Sequence, residues 1–411
     1  METVTTQPAE PDSVGAADRP SGPLAGLRVV ELAGIGPGPF AGMVLADLGA
    51  DVIGIDRLSG AGPFDLPVLR RGRRSMCLDL KSPGGREVLL DLAAGADALI
   101  EPYRPGVMER LGLGPDVCFA RNPRLVYARM TGWGQDGPQA RYAGHDLTYT
   151  ATPGLLSGVV RDSGDGSVPR PVLPGPYLGD VAGGALLLVS GLLAAVYAAQ
   201  RTGAGQVIDA AIMDGASYLT TFTHALRIAG MWGQPAGRNI LDTGAPFYEV
   251  YECADGRHLA VGPLEPQFYD ELLRLLGEHA GLELSADDPR QPDRRLDQRL
   301  WPQAKSLWAD FFRGRTRDEW CAVLEQTDAC VAPVLDLDEA PRHEHLAARA
   351  AYLPVGGGDG PVLPVPAPRF STTPTQTRPS PRPGQHTDAV LAELGYGPER
   401  IATLRSSGAV T

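Results

Sequence analysis

The chain has 411 residues, 43% of them hydrophobic and 21% charged, with a formal net charge of −12 at pH 7. That length is enough for two domains with separate cores. The acidic balance excludes a broad nucleic-acid-binding face, which needs a basic surface, but it leaves room for a local arginine cluster around an anionic small ligand. The cysteines Cys77, Cys118, Cys253, Cys321 and Cys330 are scattered with no CxxC pair, as expected of reduced thiols in a cytoplasmic protein.

The first residues are rich in Ala, Pro, Asp, Glu, Ser and Thr and lack a basic start and an apolar core. They read as a disordered extension rather than a signal peptide. Leu27 to Leu32 is a compact apolar run of the kind buried in a parallel sheet. A glycine-proline turn, Gly34 to Pro39, leads into a helical pattern from Phe40 to Leu48, and Asp51 to Ile55 forms a second strand. This βαβ unit imitates a dinucleotide fingerprint, with Asp56 where a ribose-binding acid would stand. The two prolines in its turn, Pro37 and Pro39, remove amide donors that a pyrophosphate needs, which counts against an NAD-dependent oxidoreductase.

The basic run Arg70-Arg71-Gly72-Arg73-Arg74 is either a solvated loop or a phosphate contact. Beyond it come a strand at Met76 to Leu80, a helix at Gly84 to Ala94, and strands at Ala98 to Glu101 and Leu125 to Met130. This alternation indicates an α/β domain with a mostly parallel sheet. Val181 to Gln200 is apolar over nearly bilayer length, but its small residues and the lack of a second such run favour a helix buried in protein. Asp209 to Gly230 reads as helical. Tyr248 to Glu252 and His258 to Val261 read as a hairpin, followed by a helix at Phe268 to Gly277 and a polar insertion at Ser285 to Arg299. Helices at Ala304 to Phe312 and Arg317 to Glu325 and an extended Val331 to Leu335 complete a small α+β unit. Val355 to Pro383 is a proline- and glycine-rich strap, and Thr387 to Leu394 is a short terminal helix. His343 and His345 stand without cysteine partners, so no metal site is expected.

Two stretches carry chemistry. Gly144-His145-Asp146-Leu147-Thr148-Tyr149 places a histidine and a carboxylate after a small residue, and Gly179-Asp180 puts an aspartate at the mouth of the long apolar run. A histidine and an aspartate on opposite sides of one carbon can take a proton from one face and return it on the other. The blander alternatives are a satisfied surface pair and a helix N-cap.

These blocks resemble the family III CoA-transferase superfamily and, within it, the α-methylacyl-CoA racemase branch. The resemblance runs from Pro23-Leu24-Ala25-Gly26-Leu27 through Tyr103-Arg104-Pro105-Gly106, Met130-Thr131-Gly132-Trp133-Gly134 and Gly262-Pro263-Leu264-Glu265 to Pro366-Ala367-Pro368-Arg369-Phe370-Ser371. It implies that His145 and Asp180 are the acid–base pair and that Glu265 orients the His145 ring. Enolate charge would fall to nearby amides, with the start of the helix at 181 as a candidate. By the same resemblance, a CoA thioester is the substrate, with no cofactor. It would be held by Arg57, Leu78, Asp79, Leu80, Lys81, Pro102, Tyr103, Arg104, Arg110, Gly144, Asp146, Leu147, Thr148 and Tyr149. One departure is Arg70, which stands where the family often carries an asparagine.

The implied architecture is a Rossmann-like large domain plus a small α+β domain in an interlocked, ring-like homodimer, with Glu265 meeting His145 across the interface. Along the chain this gives a disordered extension at 1–22, the first part of the large CoA-binding α/β domain at 23–208, linker helices at 209–247, the small α+β domain at 248–335, and a return linker with the last part of the large domain at 336–411. The rival within the superfamily is a CoA-transferase in which Asp180 attacks the thioester and forms an acyl anhydride. His145, which transferases of the family do not need, tilts the reading toward proton transfer.

Overall fold

The computed structural model describes residues 21–58, 66–161, 169–354 and 360–411. Continuous apolar runs build the first sheet, as expected for strands covered on both faces. β1 (Arg28–Leu32) leads through α1 (Pro37–Asp47) to β2 (Asp51–Asp56), and β3 (Arg74–Cys77), α2 (Pro83–Ala94) and β4 (Ala98–Glu101) follow. α3 (Val107–Arg110) and α4 (Pro115–Arg121) precede β5 (Val126–Thr131). Pro37 and Pro39 fall in the first turn of α1, where a missing amide costs no intrahelical bond.

The chain then enters α5 (Asp146–Ala151) and the short pair β6 (Val160–Arg161) and β7 (Arg170–Pro171). A π-helical segment, Tyr177–Leu186, runs into α6 (Leu187–Thr202), which is followed by β8 (Gln206–Ala211), α7 (Ile212–Leu219) and α8 (Thr221–Ile228). The remainder comprises β9 (Glu249–Glu252), β10 (His258–Val261), α9 (Pro266–Ala280), α10 (Trp301–Phe312), α11 (Arg317–Leu324), β11 (Val331–Pro333), α12 (Glu344–Ala348), α13 (Thr387–Glu393) and α14 (Pro398–Ser406).

The chain packs as two units, Met1–Thr131 with Ala185–Ala210 and Pro354–Thr411, and Gly132–Gly184 with Ala211–Leu353. The first holds a six-stranded sheet of order β3-β2-β1-β4-β5-β8. Its pairs β1–β2, β2–β3, β1–β4 and β4–β5 are all parallel. Strand order reverses between β1 and β4, the crevice where open parallel sheets of Rossmann type hold their ligands. Val30, Ile53, Met76, Leu89, Leu99 and Tyr127 form the middle of its core. The second unit carries the antiparallel sheet β11-β10-β9. Its core is aromatic, with Trp308 and Tyr251 stacked on Phe312 and Trp320 edge-on to it. Within that unit the Met213 amide donates to Gly132 O, and a Cβ on Gly183 would stand 2.8 Å from the Ala216 amide nitrogen. The π-helical segment and α7 therefore meet backbone to backbone.

Three expectations are corrected. β3 starts at Arg74 rather than Met76, because Arg74 is neutralised by Asp51 and Glu393 and Ser75 is bonded to Asp56 and His386. The run from Asp209 is not helical at its start, since residues 206–211 form an edge strand before α7. The basic loop is neither solvated nor free for phosphate. Arg71 pairs with Asp47 at 2.6 Å and Arg73 with Glu31 at 2.8 Å, all four side chains being buried. The polar insertion also folds inward. Arg290 lies 5.0 Å from the Trp308 ring, and Arg295 covers Phe247 and Tyr269. The stretch Tyr177–Thr202 has the length and composition to cross a membrane, yet Leu188 and Leu192 within it are fully buried.

Candidate active site

The Gly144–Tyr149 stretch is shaped around one ring. A Cβ on either Gly132 or Gly144 would overlap Tyr149, and Trp133 meets that ring edge-on at 4.8 Å. His145 is the residue before α5, in an extended conformation. Its amide donates to Thr148 Oγ1 at 3.0 Å, and that hydroxyl donates back to His145 O at 2.8 Å. The backbone is thus pinned while the His145 side chain stays exposed.

Asp146, next along, turns the other way and is 8% exposed. Its Oδ1 accepts the Asp180 amide at 2.6 Å, across thirty-four positions of sequence. Gly179 makes that approach possible, because a Cβ there would overlap Oδ1 and stand 2.7 Å from Asp146 Cγ and 2.8 Å from Thr150 Cγ2. The Asp180 carboxyl, half-buried, is pushed up to about 6, first by burial and then by the negative charge of Asp146, while His145 pulls it down. Burial and a neighbouring carboxylate both disfavour the ionised form. Asp180 therefore holds its proton far closer to neutrality than an ordinary aspartate.

The alternative of Asp180 as an N-cap is not what the structure shows. It lies in the first turn of the π-helical segment, and the Val181 amide is already given to Pro176 O at 3.1 Å. The amide at 181 is thus committed and unavailable to an enolate. From sequence, Asp146 is only an expected ligand contact, with no sign of its carboxylate on the Gly179-Asp180 turn. The two Gly/Asp motifs were visible, but nothing in their spacing states that one reaches the other.

Glu265 is the exposed residue preceding α9. The loop before it is held from both sides. Arg295 Nη1 donates to Leu264 O at 2.8 Å, and the Gly262 amide donates to Cys330 O at 3.0 Å. Within the single chain the described residues contain no hydrogen bond or ion pair between Glu265 and His145.

The expected CoA contacts of the first unit gather at the carboxyl ends of neighbouring strands. Arg57 follows β2, Leu78 to Lys81 follow β3, and Pro102 to Arg104 follow β4. Arg57 is exposed and close enough to Tyr103 to lower its phenol, although burial raises that group overall. A Cβ on Gly34, in the turn after β1, would come within 2.7 Å of Pro102 Cγ, so the two turns are packed together. Lys81, Arg104 and Arg110 are exposed. Leu78 is a core residue and Leu80 packs against the core, so Leu78 can offer a ligand little beyond its backbone. Among the described residues no group of three or more His, Cys, Asp or Glu is arranged to hold a metal ion.

A model of CoA-transferase family III matches residues 24–387. The chain is 45% identical over 387 residues to α-methylacyl-CoA racemase of Mus musculus, covering 93% of this chain and 96% of that protein. It is 43% identical over 386 residues to the Homo sapiens protein of the same name, with the same coverage. It is also 32% identical to acetyl-CoA:oxalate CoA-transferase of Acetobacter aceti, over 84% of this chain and 90% of that one. Among solved structures, a CAIB/BAIF family protein from Brucella suis superposes with a TM-score of 0.75 at 27% identity, covering 91% of this chain and all of its own.

Proposed function

Because this chain belongs to CoA-transferase family III, we infer that it uses the family's shared aspartate, Asp180, for proton transfer and works as an α-methylacyl-CoA racemase. It interconverts (R)- and (S)-2-methylacyl-CoA thioesters. The observation that carries this reading is an aspartate that burial and the Asp146 carboxylate push up to about 6, with His145 near enough to pull against them. A relay across two faces must begin with one partner protonated, and a carboxyl of that affinity next to an imidazole meets the condition near neutral pH.

In one direction neutral His145 removes the α-proton, the electron pair moves onto the thioester oxygen as an enolate, and the carboxyl of Asp180 delivers its proton to the opposite face of the α-carbon. The product leaves an imidazolium and a carboxylate, which run the reverse direction on the other enantiomer. Arg57, Lys81, Tyr103, Arg104 and Arg110 hold the CoA portion, with charge-assisted bonds to its phosphates. No step needs a cofactor.

The acting form is a homodimer, interlocked as in the family, in which Glu265 of the partner subunit orients the His145 ring. One feature supports this: α7 and α8 expose the large apolar side chains of Tyr218, Phe222 and Ile228, the last 89% exposed, where a partner subunit can cover them.

The test is incubation with a 2-methylacyl-CoA in deuterated water, with and without a free carboxylic acid. Deuterium enters the α-carbon in both cases. Each single variant, His145→Ala and Asp180→Asn, loses net racemisation but keeps exchange from one enantiomer, at a rate lowered about 10²–10⁴-fold. Movement of CoA to the free acid without α-exchange establishes the transferase instead. Racemisation by His145→Ala at the wild-type rate removes the relay.

A further inference from the structure

We propose that the Asp146 side chain is a positioning residue for Asp180, clamping the Gly179-Asp180 turn and setting the proton affinity at which the relay runs. The inference rests on the racemase reading for its use, but its physical content is independent of it.

Three observations meet at this carboxylate. Its Oδ1 takes the Asp180 amide at 2.6 Å. The place where any larger residue at 179 would put its Cβ is filled by the same oxygen. Its Oδ2 is buried with no hydrogen-bond partner among the described residues. A buried carboxylate bonded through only one oxygen is costly to maintain for packing alone. An uncharged acceptor of similar shape would make the same bond to the amide at lower cost. What only the charge supplies is repulsion toward a second carboxylate on the residue it clamps. The charged groups acting on Asp180 are Asp146, which raises its pKa, and His145, which lowers it. α7, packed against α5, adds only Asp214, which is exposed.

Asp146→Asn separates the two roles, because the amide oxygen keeps the clamp while the charge is removed. The expected result is a kcat/KM profile whose acid limb moves to lower pH by on the order of one unit. Below that limb both partners are protonated and no base remains. Removing the repulsion lets Asp180 give up its proton at lower pH, so the limb follows it. A residue needed only for packing lowers the rate at every pH and leaves the limb in place, and that outcome overturns the proposal.

A second measurement needs no change at 146. In protein labelled with ¹³C-aspartate, the carboxyl resonance missing from Asp180→Asn is expected to titrate near 6. An Asp180 resonance in the ordinary aspartate range overturns the coupling even if Asp146→Asn fails to fold. If the protein exchanges no deuterium into any 2-methylacyl-CoA, the racemase reading fails while the titration still decides this one.

Discussion

Replacing Gly179 by alanine tests the packing at the centre of the site. The added methyl has no room, since its carbon would overlap Asp146 Oδ1 and stand within 2.8 Å of Thr150 Cγ2. The Asp146 carboxylate must swing away and surrender its bond from the Asp180 amide, or the turn must open. A lost bond to a charged acceptor is worth about 1.5–3 kcal/mol, and forcing one methyl into a filled space costs about 1–3 kcal/mol. Relaxation of one offsets part of the other, so the expected loss is about 2–5 kcal/mol, seen as a melting temperature lower by about 5–15 °C. The control is Gly191→Ala within α6, where the nearest atom to a new Cβ is Ile208 Cγ2 at 3.8 Å. That methyl fits, and alanine in a helix interior is favoured over glycine by about 0.5–1 kcal/mol. Thermal unfolding of both variants, with deuterium exchange of Gly179→Ala, checks the contrast. A Gly179→Ala protein that melts with the wild type and exchanges normally refutes the contact between the two motifs.

Three further outcomes are expected. The Asp180 pKa is raised on folding from 3.8 to about 6, so the folded state binds more protons between those values and stability falls as pH rises through that window. Asp180→Asn is therefore more stable than wild type by on the order of 1–3 kcal/mol at pH 7 to 8, with the gain vanishing below pH 4, as denaturant unfolding at several pH values would show. Arg73→Leu leaves Glu31 buried without its ion pair and costs about 3–5 kcal/mol, whereas a loss under 1 kcal/mol in urea unfolding rejects the pair as described. Arg57→Ala and Arg110→Ala each weaken CoA-ester binding by about 1.5–3 kcal/mol in calorimetry, and unchanged affinity in both removes them from the site.

Elements buried on both faces were legible because apolar residues dominate there, as in Val29, Val30, Val52 and Ile53. Where a strand is held by charge the signal disappears. Arg74 belongs to β3 through Asp51 and Glu393, partners far away in sequence. Gln206–Ala211 lies at a sheet edge, with half its residues exposed and Asp209 breaking its apolar run, so it does not stand out from the helical run that follows. The basic loop failed for the same reason. Four arginines in five positions look solvated until Asp47 and Glu31 are seen beneath two of them. In the site, the residue types were legible and their coupling was not, because a hydrogen bond between positions 146 and 180 leaves no mark on local pattern.

The closure of β3 has a consequence for synthesis. This strand is the sheet's outer edge, and its exposed groups are taken by the end of the chain. The His386 amide goes to Ser75 O, the Ser75 amide to His386 Nδ1, the Cys77 amide to Thr387 Oγ1, and Leu78 pairs with Val410. On a ribosome, more than three hundred residues separate the emergence of that edge from the arrival of its cover. At about 5–20 residues per second the strand waits roughly 15–70 s with its ladder open, the condition in which edges recruit other strands. Arg74 lies in that edge and has no Glu393 to pair with until the tail arrives. Until then Arg28 and Arg74 share the single carboxylate of Asp51, and the positive charge left over on an open edge deters pairing with another chain. The same arginine that obscured the strand in the sequence thus guards it while the protein is still being made.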